Sequence, residues 1–132
     1  MLNWQNVIQY YGMNLSLLQN NPNVGTLVIP FNNGRSQCVV LNCYNTPYGD
    51  ILDIISYIGE GVRPNAALSL LTDFESIASM GGITADNEGC VTVRNTIPLF
   101  GMDNLQAVQF CIENVASTAD YFEATYFGVD NE

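Results

Sequence analysis

The fold of this chain is decided by two neighbouring stretches, which read QCVVLNCY at residues 37–44 and ILDIISYI at residues 51–58. Both are short, apolar and rich in β-branched residues, so we interpret each as a β-strand. The turn-forming sequence NTPYG at 45–49 joins them as an antiparallel pair. The first stretch is apolar on both faces over several positions, which favours a place at the centre of the sheet. We expect helices or another subunit to cover it on each side.

Upstream of this pair, the sequence predicts one further strand and one helix. Residues 26–31 read TLVIPF, the composition of a strand, and NNG at 32–34 connects them to the first central strand as a hairpin. Because Pro30 has no N–H to donate to a ladder, we expect this strand to lie at an edge or to end there. Nearer the N-terminus, helical spacing places four apolar residues on one face, with Gly12 available to end the helix: Trp4, Val7, Ile8 and Tyr11.

Downstream, the pattern predicts a second helix followed by a second hairpin. Asn65 is a suitable N-cap for the helix, and the glycines at 81–82 end it. Its apolar stripe consists of Ala67, Leu70, Leu71, Phe74, Ile77 and Ala78. The hairpin pairs residues 83–85 with residues 90–97 across a turn at 86–89. One face of its second strand is expected to be dry and the other wet, because three apolar residues alternate with three polar ones: Val91, Val93 and Ile97 against Thr92, Arg94 and Thr96.

The last predicted element is the longest helix. Asp103 is expected to be its N-cap, and Gln106 three residues on completes the pattern of a capping box. Apolar residues keep helical spacing from Leu105 to Phe122, which corresponds to about five turns of ~3.6 residues. The aromatic tail at 121–128 either extends this helix or packs back over the sheet.

These elements predict an α+β fold of two layers, with an antiparallel sheet of about five strands and three helices in the order α-β-β-β-α-β-β-α. Residues 1–132 are expected to form a single domain, since this length buries roughly two-thirds of the surface of the unfolded chain. The four cysteines lack the paired spacing of a zinc site and are too scattered for a disulfide framework, so we expect reduced thiols at Cys38, Cys43, Cys90 and Cys111.

The charge of the chain limits the partners it can bind. Thirteen acids face three arginines, with no lysine and no histidine, and the net charge is −10. A surface of this sign repels phosphate backbones and anionic membranes, so neither nucleic acid nor a membrane is expected as a partner. The same field attracts a basic polypeptide, unless the acids serve solubility alone. Since we find neither an apolar run of ~18 residues nor a secretory signal, we expect a cytoplasmic protein.

The residue types that most enzymes use for catalysis are missing. Without histidine or lysine, the chain cannot build a Ser-His-Asp or Cys-His site, a Schiff base or a Walker-type phosphate loop. Residues 86–89 have the oxygen ligands of part of a calcium loop but lack the remainder. We therefore expect no enzymatic activity, no cofactor and no metal. Three carboxylate pairs lie where a solvated acid is the ordinary outcome: Asp50 with Asp53, Asp73 with Glu75, and Asp86 with Glu88.

Aromatic residues are more numerous than a core of this size needs, and the chain contains seven tyrosines. Tyrosine combines a large contact area with a polar tip and is enriched at interfaces. For any single tyrosine, a place at the rim of the core is the alternative. Together with the wet face of the second hairpin, the aromatic residues favour a partner-binding surface that consists of Tyr44, Tyr57, Thr92, Arg94, Tyr126 and Phe127.

The second half of the chain carries a resemblance to a known fold. Residues 81–94 read GGITADNEGCVTVR after a predicted helix, and IPL at 97–99 leads into the final amphipathic helix. A short acidic chain with this order of elements resembles the type III secretion chaperones and, within that group, the YbjN-type domains of bacteria. The resemblance implies a two-layer domain that usually dimerises and that wraps an extended segment of a client around hydrophobic surfaces. It implies no catalytic residue.

We therefore predict a non-enzymatic protein-binding module, chaperone-like or regulatory, that acts as a homodimer. Its partner is expected to be a protein or peptide client, and the charge favours a basic one. The main alternative is a regulatory domain that senses a small molecule in a pocket between helix and sheet. An enzyme that uses carboxylates or a thiol is the third alternative.

Overall fold

The computed structural model describes residues 1–59, 81–85 and 89–127, and in these ranges the chain forms two α-helices and a six-stranded sheet. The helices are α1 (Trp4–Tyr11) and α2 (Leu105–Phe122). The strands are β1 (Ser16–Leu17), β2 (Val24–Pro30), β3 (Ser36–Thr46), β4 (Gly49–Gly59), β5 (Gly82–Ala85) and β6 (Val91–Pro98). The helix predicted at 65–78 and residues 86–88 of the predicted turn lie outside the described residues.

Neighbouring strands of the sheet run antiparallel, in the order β1-β2-β3-β4-β6-β5. The two stretches that decide the fold, β3 and β4, occupy its centre, where Leu41 lies opposite Ile54. Both predicted hairpins are present, since β2 pairs with β3 and β5 pairs with β6. The prediction of an α+β fold with an antiparallel sheet is therefore confirmed, with six strands in place of about five.

The strand that the sequence did not predict is β1, a two-residue segment on the outer edge of β2. Ser16 lies opposite Thr26, and Leu17 lies opposite Gly25. Glycine permits this approach, because a Cβ atom at position 25 would lie 2.8 Å from Cδ1 of Leu15. A segment of two residues has no periodicity, so the hydrophobic pattern does not reveal it.

Both described helices begin at an asparagine cap. In α1, the Asn3 side chain accepts from the backbone N–H of Asn6, and the Asn6 side chain accepts from the backbone N–H of Asn3. In α2, Asn104 is extended (φ −157°, ψ 166°), and its side chain accepts from the N–H of Ala107 at 2.8 Å. The predicted cap at Asp103 was therefore wrong by one residue. The aromatic tail extends α2 as a π-helical turn at Glu123–Phe127.

The core lies between the two described helices and one face of the sheet, which we call the inner face. Helix α2 packs across β3, β4 and β6, and α1 contacts α2. Burying one large apolar side chain contributes roughly 1.5–3 kcal/mol, so this layer supplies most of the apolar stabilisation. Its completely buried residues include Val7, Val39, Leu41, Leu52, Ile54, Val93, Ile112, Val115 and Phe122.

The two faces of β3 are covered to different extents. The inner face is buried at Gln37, Val39, Leu41 and Cys43. On the opposite face, which we call the outer face, Cys38 and Val40 are only half-buried and Tyr44 is exposed. The described helices therefore cover the inner face alone, and the expected cover of the outer face, by a helix or another subunit, stays a prediction.

Strand β2 ends at Pro30, opposite Ser36, as the sequence predicted. The turn that follows closes through a hydrogen bond from the N–H of Gly34 to the carbonyl of Phe31, at 3.3 Å. Gly34 has a φ of 82°, a conformation that glycine adopts without strain. Sequence thus locates both the end of this strand and its hairpin correctly.

Candidate functional site

Residues from three strands of the predicted partner-binding surface share the outer face of the sheet. Tyr44 lies in β3 and Tyr57 in β4, and the register places Thr92 of β6 directly opposite Tyr57. Arg94 lies opposite Ile55. Because successive residues of a strand alternate between faces, these side chains project away from α1 and α2. The sheet therefore brings Tyr44, Tyr57, Thr92 and Arg94 together.

The remaining predicted residues are not part of this outer face. Tyr126 packs against the core on the helix side, where its ring stacks on Phe122 with 5.9 Å between the ring centroids. Phe127 ends the π-helical turn, and its side chain lies outside what the structure describes. The predicted surface is therefore divided by the sheet.

An ion pair at the centre of the outer face holds Arg94. Its Nε donates to Oδ1 of Asp53 at 2.9 Å, its Nη2 donates to Oδ2, and the Thr96 hydroxyl donates to Oδ1 at 3.1 Å. Hydrogen bonding to Asp53, followed by the charge of that carboxylate, raises the pKa of the Arg94 guanidinium. Asp53 is only 1% exposed, so its charge requires this compensation. Sequence reasoning did not predict the pairing of Arg94 with Asp53. Its one sign in the sequence is Asp53 itself, a single acid within an apolar strand.

Other polar groups on the outer face also satisfy one another. The side-chain amide of Asn42 donates to the Tyr44 hydroxyl at 3.0 Å, and the hydroxyls of Thr84 and Thr92 are 2.6 Å apart. Two large side chains remain accessible, since Tyr44 is 48% exposed and Val28 is 63% exposed. A face of paired polar groups and exposed apolar area suits protein contact better than proton transfer.

The outer edge of β2 is the second candidate region. The carbonyl of Val24 accepts from the N–H of Leu18 on this edge, at 3.0 Å. Backbone groups alternate between the two edges of a strand, so the N–H and C=O of Val28 point the same way. In the described part of the chain no strand pairs with Val28 on this side, because β1 reaches only to Thr26. Pro30 adds an outward carbonyl but no donor.

Two adjoining grooves flank this edge, and together they form what we call the β2 trough. One groove, of about 390 Å³, is lined by Tyr11, Asn14, Ser16 and residues 26–30. The other, of about 360 Å³, separates the end of β2 from α2 and is lined by Ile29, Pro30, Phe31, Phe110, Glu113, Asn114 and Ser117. Because both linings include Ile29 and Pro30, the two grooves adjoin at the end of β2, and the second one reaches α2.

An ion-pair cluster fixes the two walls of the β2 trough. Arg35 follows the turn after β2, and its Nε donates to Oδ1 of Asp120 at 2.8 Å while its Nη2 donates to Oε1 of Glu123 at 3.3 Å. Both acids belong to the C-terminal end of α2 and the turn that continues it. Glu123 is completely buried, so its pairing with Arg35 compensates a charge removed from water. Arg35 thereby holds α2 at a set distance from β2.

Tyr11 lines the first groove, and its hydroxyl is buried. The hydroxyl of Tyr11 has no hydrogen-bond partner among residues 1–59, 81–85 and 89–127. Burial raises the pKa of this phenol, and the neighbouring Tyr10 and Glu113 raise it further, so the group stays protonated. A protonated phenol retains one hydrogen-bond donor.

Burial suppresses the ionisation of two cysteines. All four are reduced thiols. Burial, followed by the charge and hydrogen bond of Asp50, raises the pKa of Cys43 to about 12, and burial also raises the pKa of Cys111. Both therefore remain protonated and unreactive near neutral pH.

Within residues 1–59, 81–85 and 89–127, no three potential metal ligands are placed to hold an ion. Neither α1 nor α2 has both the length and the apolar character needed to span a membrane.

Sequence reasoning missed the β2 trough because its residues come from distant parts of the chain. Tyr11 belongs to α1, Val28 and Ile29 belong to β2, and Glu113 belongs to α2. A partial signal exists in α2, where Phe110 is 58% exposed and falls outside the buried stripe of the helix. Single exposed apolar residues are common on protein surfaces, so Phe110 alone does not locate a groove.

Comparison with solved structures finds this fold in a type III secretion system. The chain is similar to a chain of the heterodimeric complex ExoU-SpcU from the type III secretion system of Pseudomonas aeruginosa. The TM-score is 0.56 and the sequence identity 16%, over 93% of this chain and 95% of that chain. The likeness shows the fold and confirms the type III secretion resemblance at that level. No family model and no curated protein matches the chain.

Proposed function

We propose that this chain is a protein-binding module with a chaperone-like role, which holds an extended segment of a client protein in the β2 trough. The feature that carries the proposal is the outward direction of the N–H and C=O of Val28, which follows from the pairing of Val24 and which places them beside a groove lined by β2. Peptides commonly bind such an edge by adding a strand, while side-chain pockets supply specificity. The similarity to a chain of a heterodimeric complex gives further support.

The proposed role is non-enzymatic, requires no cofactor and is exercised in the cytoplasm. It is supported by the pairing of Arg94 with Asp53 and of Arg35 with Glu123, which uses these charged groups for structure. The finer affiliation with the YbjN-type domains also stays a prediction. Its support is the pairing of β5 with β6, the hairpin on which the resemblance depends.

A selection from a displayed library of randomised peptides tests the binding of an extended segment. Wild-type protein is expected to enrich a set of sequences, whereas Val28→Pro, which removes the outward N–H, is expected to enrich none of them. Val28→Thr keeps the N–H and serves as the matched control. The amide of Val28 should also exchange with deuterium more slowly when a selected peptide is bound, because it then donates to the added strand. Equal enrichment by wild type and Val28→Pro would contradict the proposal.

The proposal extends to a homodimer, with the outer face of the sheet as the surface between copies. The accessible Tyr44 and the partly covered Val40 support this assignment. Sedimentation equilibrium is expected to give a dimer for wild type and a monomer for Tyr44→Asp. Tyr48→Asp adds the same charge at a turn residue that is 80% exposed, and it should leave the dimer intact. A monomeric wild type at every concentration would exclude the dimer.

A small-molecule sensor remains the second candidate function, and the groove between β2 and α2 favours it. Its volume of about 360 Å³ falls within the roughly 300–1,000 Å³ of ordinary ligand pockets. A ligand that binds only the folded chain raises its apparent stability, so a thermal-shift screen of metabolites provides the test. A shift that Phe110→Ala abolishes would favour the sensor, and the absence of any shift would favour the client-binding module.

A further inference from the structure

We infer that the client segment held in the β2 trough carries a lysine or arginine side chain that pairs with Glu113. This inference rests on the proposed function and specifies the chemistry of the partner. It concerns one position of the client, at the point where the trough meets α2. The apolar lining accounts for contact area, whereas Glu113 accounts for a preference in charge.

Glu113 lies in the part of the β2 trough that separates β2 from α2. It belongs to the wall formed by α2, together with Phe110, Asn114 and Ser117, and this wall faces the end of β2. Residues three, four and seven apart share one face of a helix, so these four side chains form a single strip. Glu113 is the charged member of that strip, since its neighbours in the lining are neutral.

Hydrogen bonds hold the Glu113 side chain in place. Its Oε2 accepts from the side-chain amide of Gln109 at 3.0 Å, and the carbonyl oxygen of that amide accepts from the Tyr10 hydroxyl. Gln109 and Tyr10 are both neutral, so they orient the carboxylate of Glu113 without supplying a positive charge. Among the described residues no arginine pairs with it, because Arg35 binds Asp120 and Glu123 while Arg94 binds Asp53.

The charge of Glu113 also affects the neighbouring groove. Tyr11 lines the neighbouring groove, and Glu113 is among the groups that oppose its ionisation. Among the described residues, neither groove has a lysine or arginine in its lining. A peptide that fills the trough therefore meets the negative charge of Glu113 without a described cation beside it, in a chain whose net charge is −10. A client cation removes this imbalance, whereas a client carboxylate would be repelled.

The carboxylate also changes from a solvated to a covered group when a client binds. An exposed ion pair contributes little free energy, but burying an unpaired charge costs several times more. A client with an apolar residue opposite Glu113 would cover the carboxylate and leave it unpaired. Rejection of such clients therefore contributes more to specificity than the new ion pair does.

The test is a selection from a randomised displayed peptide library on three proteins: wild type, Glu113→Gln and Asp103→Asn. Peptides selected on wild type are expected to contain lysine or arginine at one fixed position relative to an apolar residue. Glu113→Gln is expected to lose the basic preference and keep the apolar one. Asp103→Asn removes one exposed charge from the loop before α2, so it controls for net charge and should select the same peptides as wild type.

Affinities of one selected peptide complete the test. Replacing its basic residue by alanine should weaken binding to wild type about fivefold, as expected for about 1 kcal/mol, and should leave binding to Glu113→Gln unchanged. Selection of peptides without a basic preference would overturn the inference and leave the proposed function intact. Failure to select any peptide would overturn the proposed function, and an equal loss of basic preference in Asp103→Asn would show a nonspecific effect of net charge.

Discussion

The two faces of the central strands differ in what holds them together. On the inner face, Leu41 and Ile54 lie opposite one another and are completely buried beneath the helices. On the outer face, Asp53 is almost as deeply buried but is held by Arg94 and Thr96. Alternate residues of one strand therefore serve two purposes. The inner residues stabilise the fold by apolar burial, and the outer ones keep a polar, accessible face.

The largest effect is expected from a change on the inner side of this comparison. Phe122 is completely buried, so Phe122→Ala should lower the free energy of unfolding by about 3–5 kcal/mol through lost burial and a cavity. The neighbouring Tyr121 is 49% exposed, and Tyr121→Ala should cost less than about 1 kcal/mol. Denaturation with urea measures both variants. Similar losses for the two would show that α2 does not seal the core as described.

A smaller effect is expected when the central ion pair of the outer face is broken. Asp53→Asn should cost about 2 kcal/mol, because it weakens charged hydrogen bonds while Arg94 can still reach water. A double-mutant cycle with Arg94→Gln measures the coupling between the two residues. The combined variant should lose less stability than the two single losses added together. Strict additivity would mean that the pair is not formed in solution.

The next effect concerns the pH dependence of the inner face. The pKa of Cys43 is about 12 in the folded chain, against 9.0 for an ordinary thiol. Above pH 9 the unfolded chain therefore releases the proton first, and the free energy of unfolding falls as pH rises. By about pH 10 the expected loss is about 1 kcal/mol. Cys43→Ala has no such proton, so its stability should fall less steeply between these pH values; parallel curves would contradict the assignment.

The smallest effect is expected at an exposed position of the outer face. Val28 is 63% exposed, so Val28→Thr should change the free energy of unfolding by less than about 0.5 kcal/mol. Threonine is also β-branched and suits a strand. Urea denaturation alongside Phe122→Ala gives the contrast between faces directly. A loss above 2 kcal/mol would indicate that this position is covered in solution.

Elements whose signals are local were predicted well from sequence. Trp4 to Tyr11 form a helix because their apolar spacing and a following glycine suffice to define one. The central strands and both hairpins follow from apolar runs separated by turn residues. The fold-level resemblance agrees with the solved secretion-system structure. The homodimer, the client and the YbjN affiliation stay predictions.

Features that depend on strand register were not predictable in the same way. Asp53 and Arg94 are far apart in sequence and meet only because β4 pairs with β6. The β2 trough likewise requires α1, β2 and α2 to be assembled before its lining exists. The cap of α2 was misplaced because Asp103 and Asn104 are both good capping residues, and backbone conformation decides between them.

Pro30 gives the open edge of β2 a consequence for self-association. Fibril growth by stacking requires an unbroken row of donors and acceptors along the templating strand. This edge offers one complete residue, Val28, and then a position that cannot donate. A short guest can still dock beside Val28, but a long copy cannot remain in register past the proline. The edge of β2 can therefore pair with a short peptide, but it cannot template the stacking of long strands into amyloid.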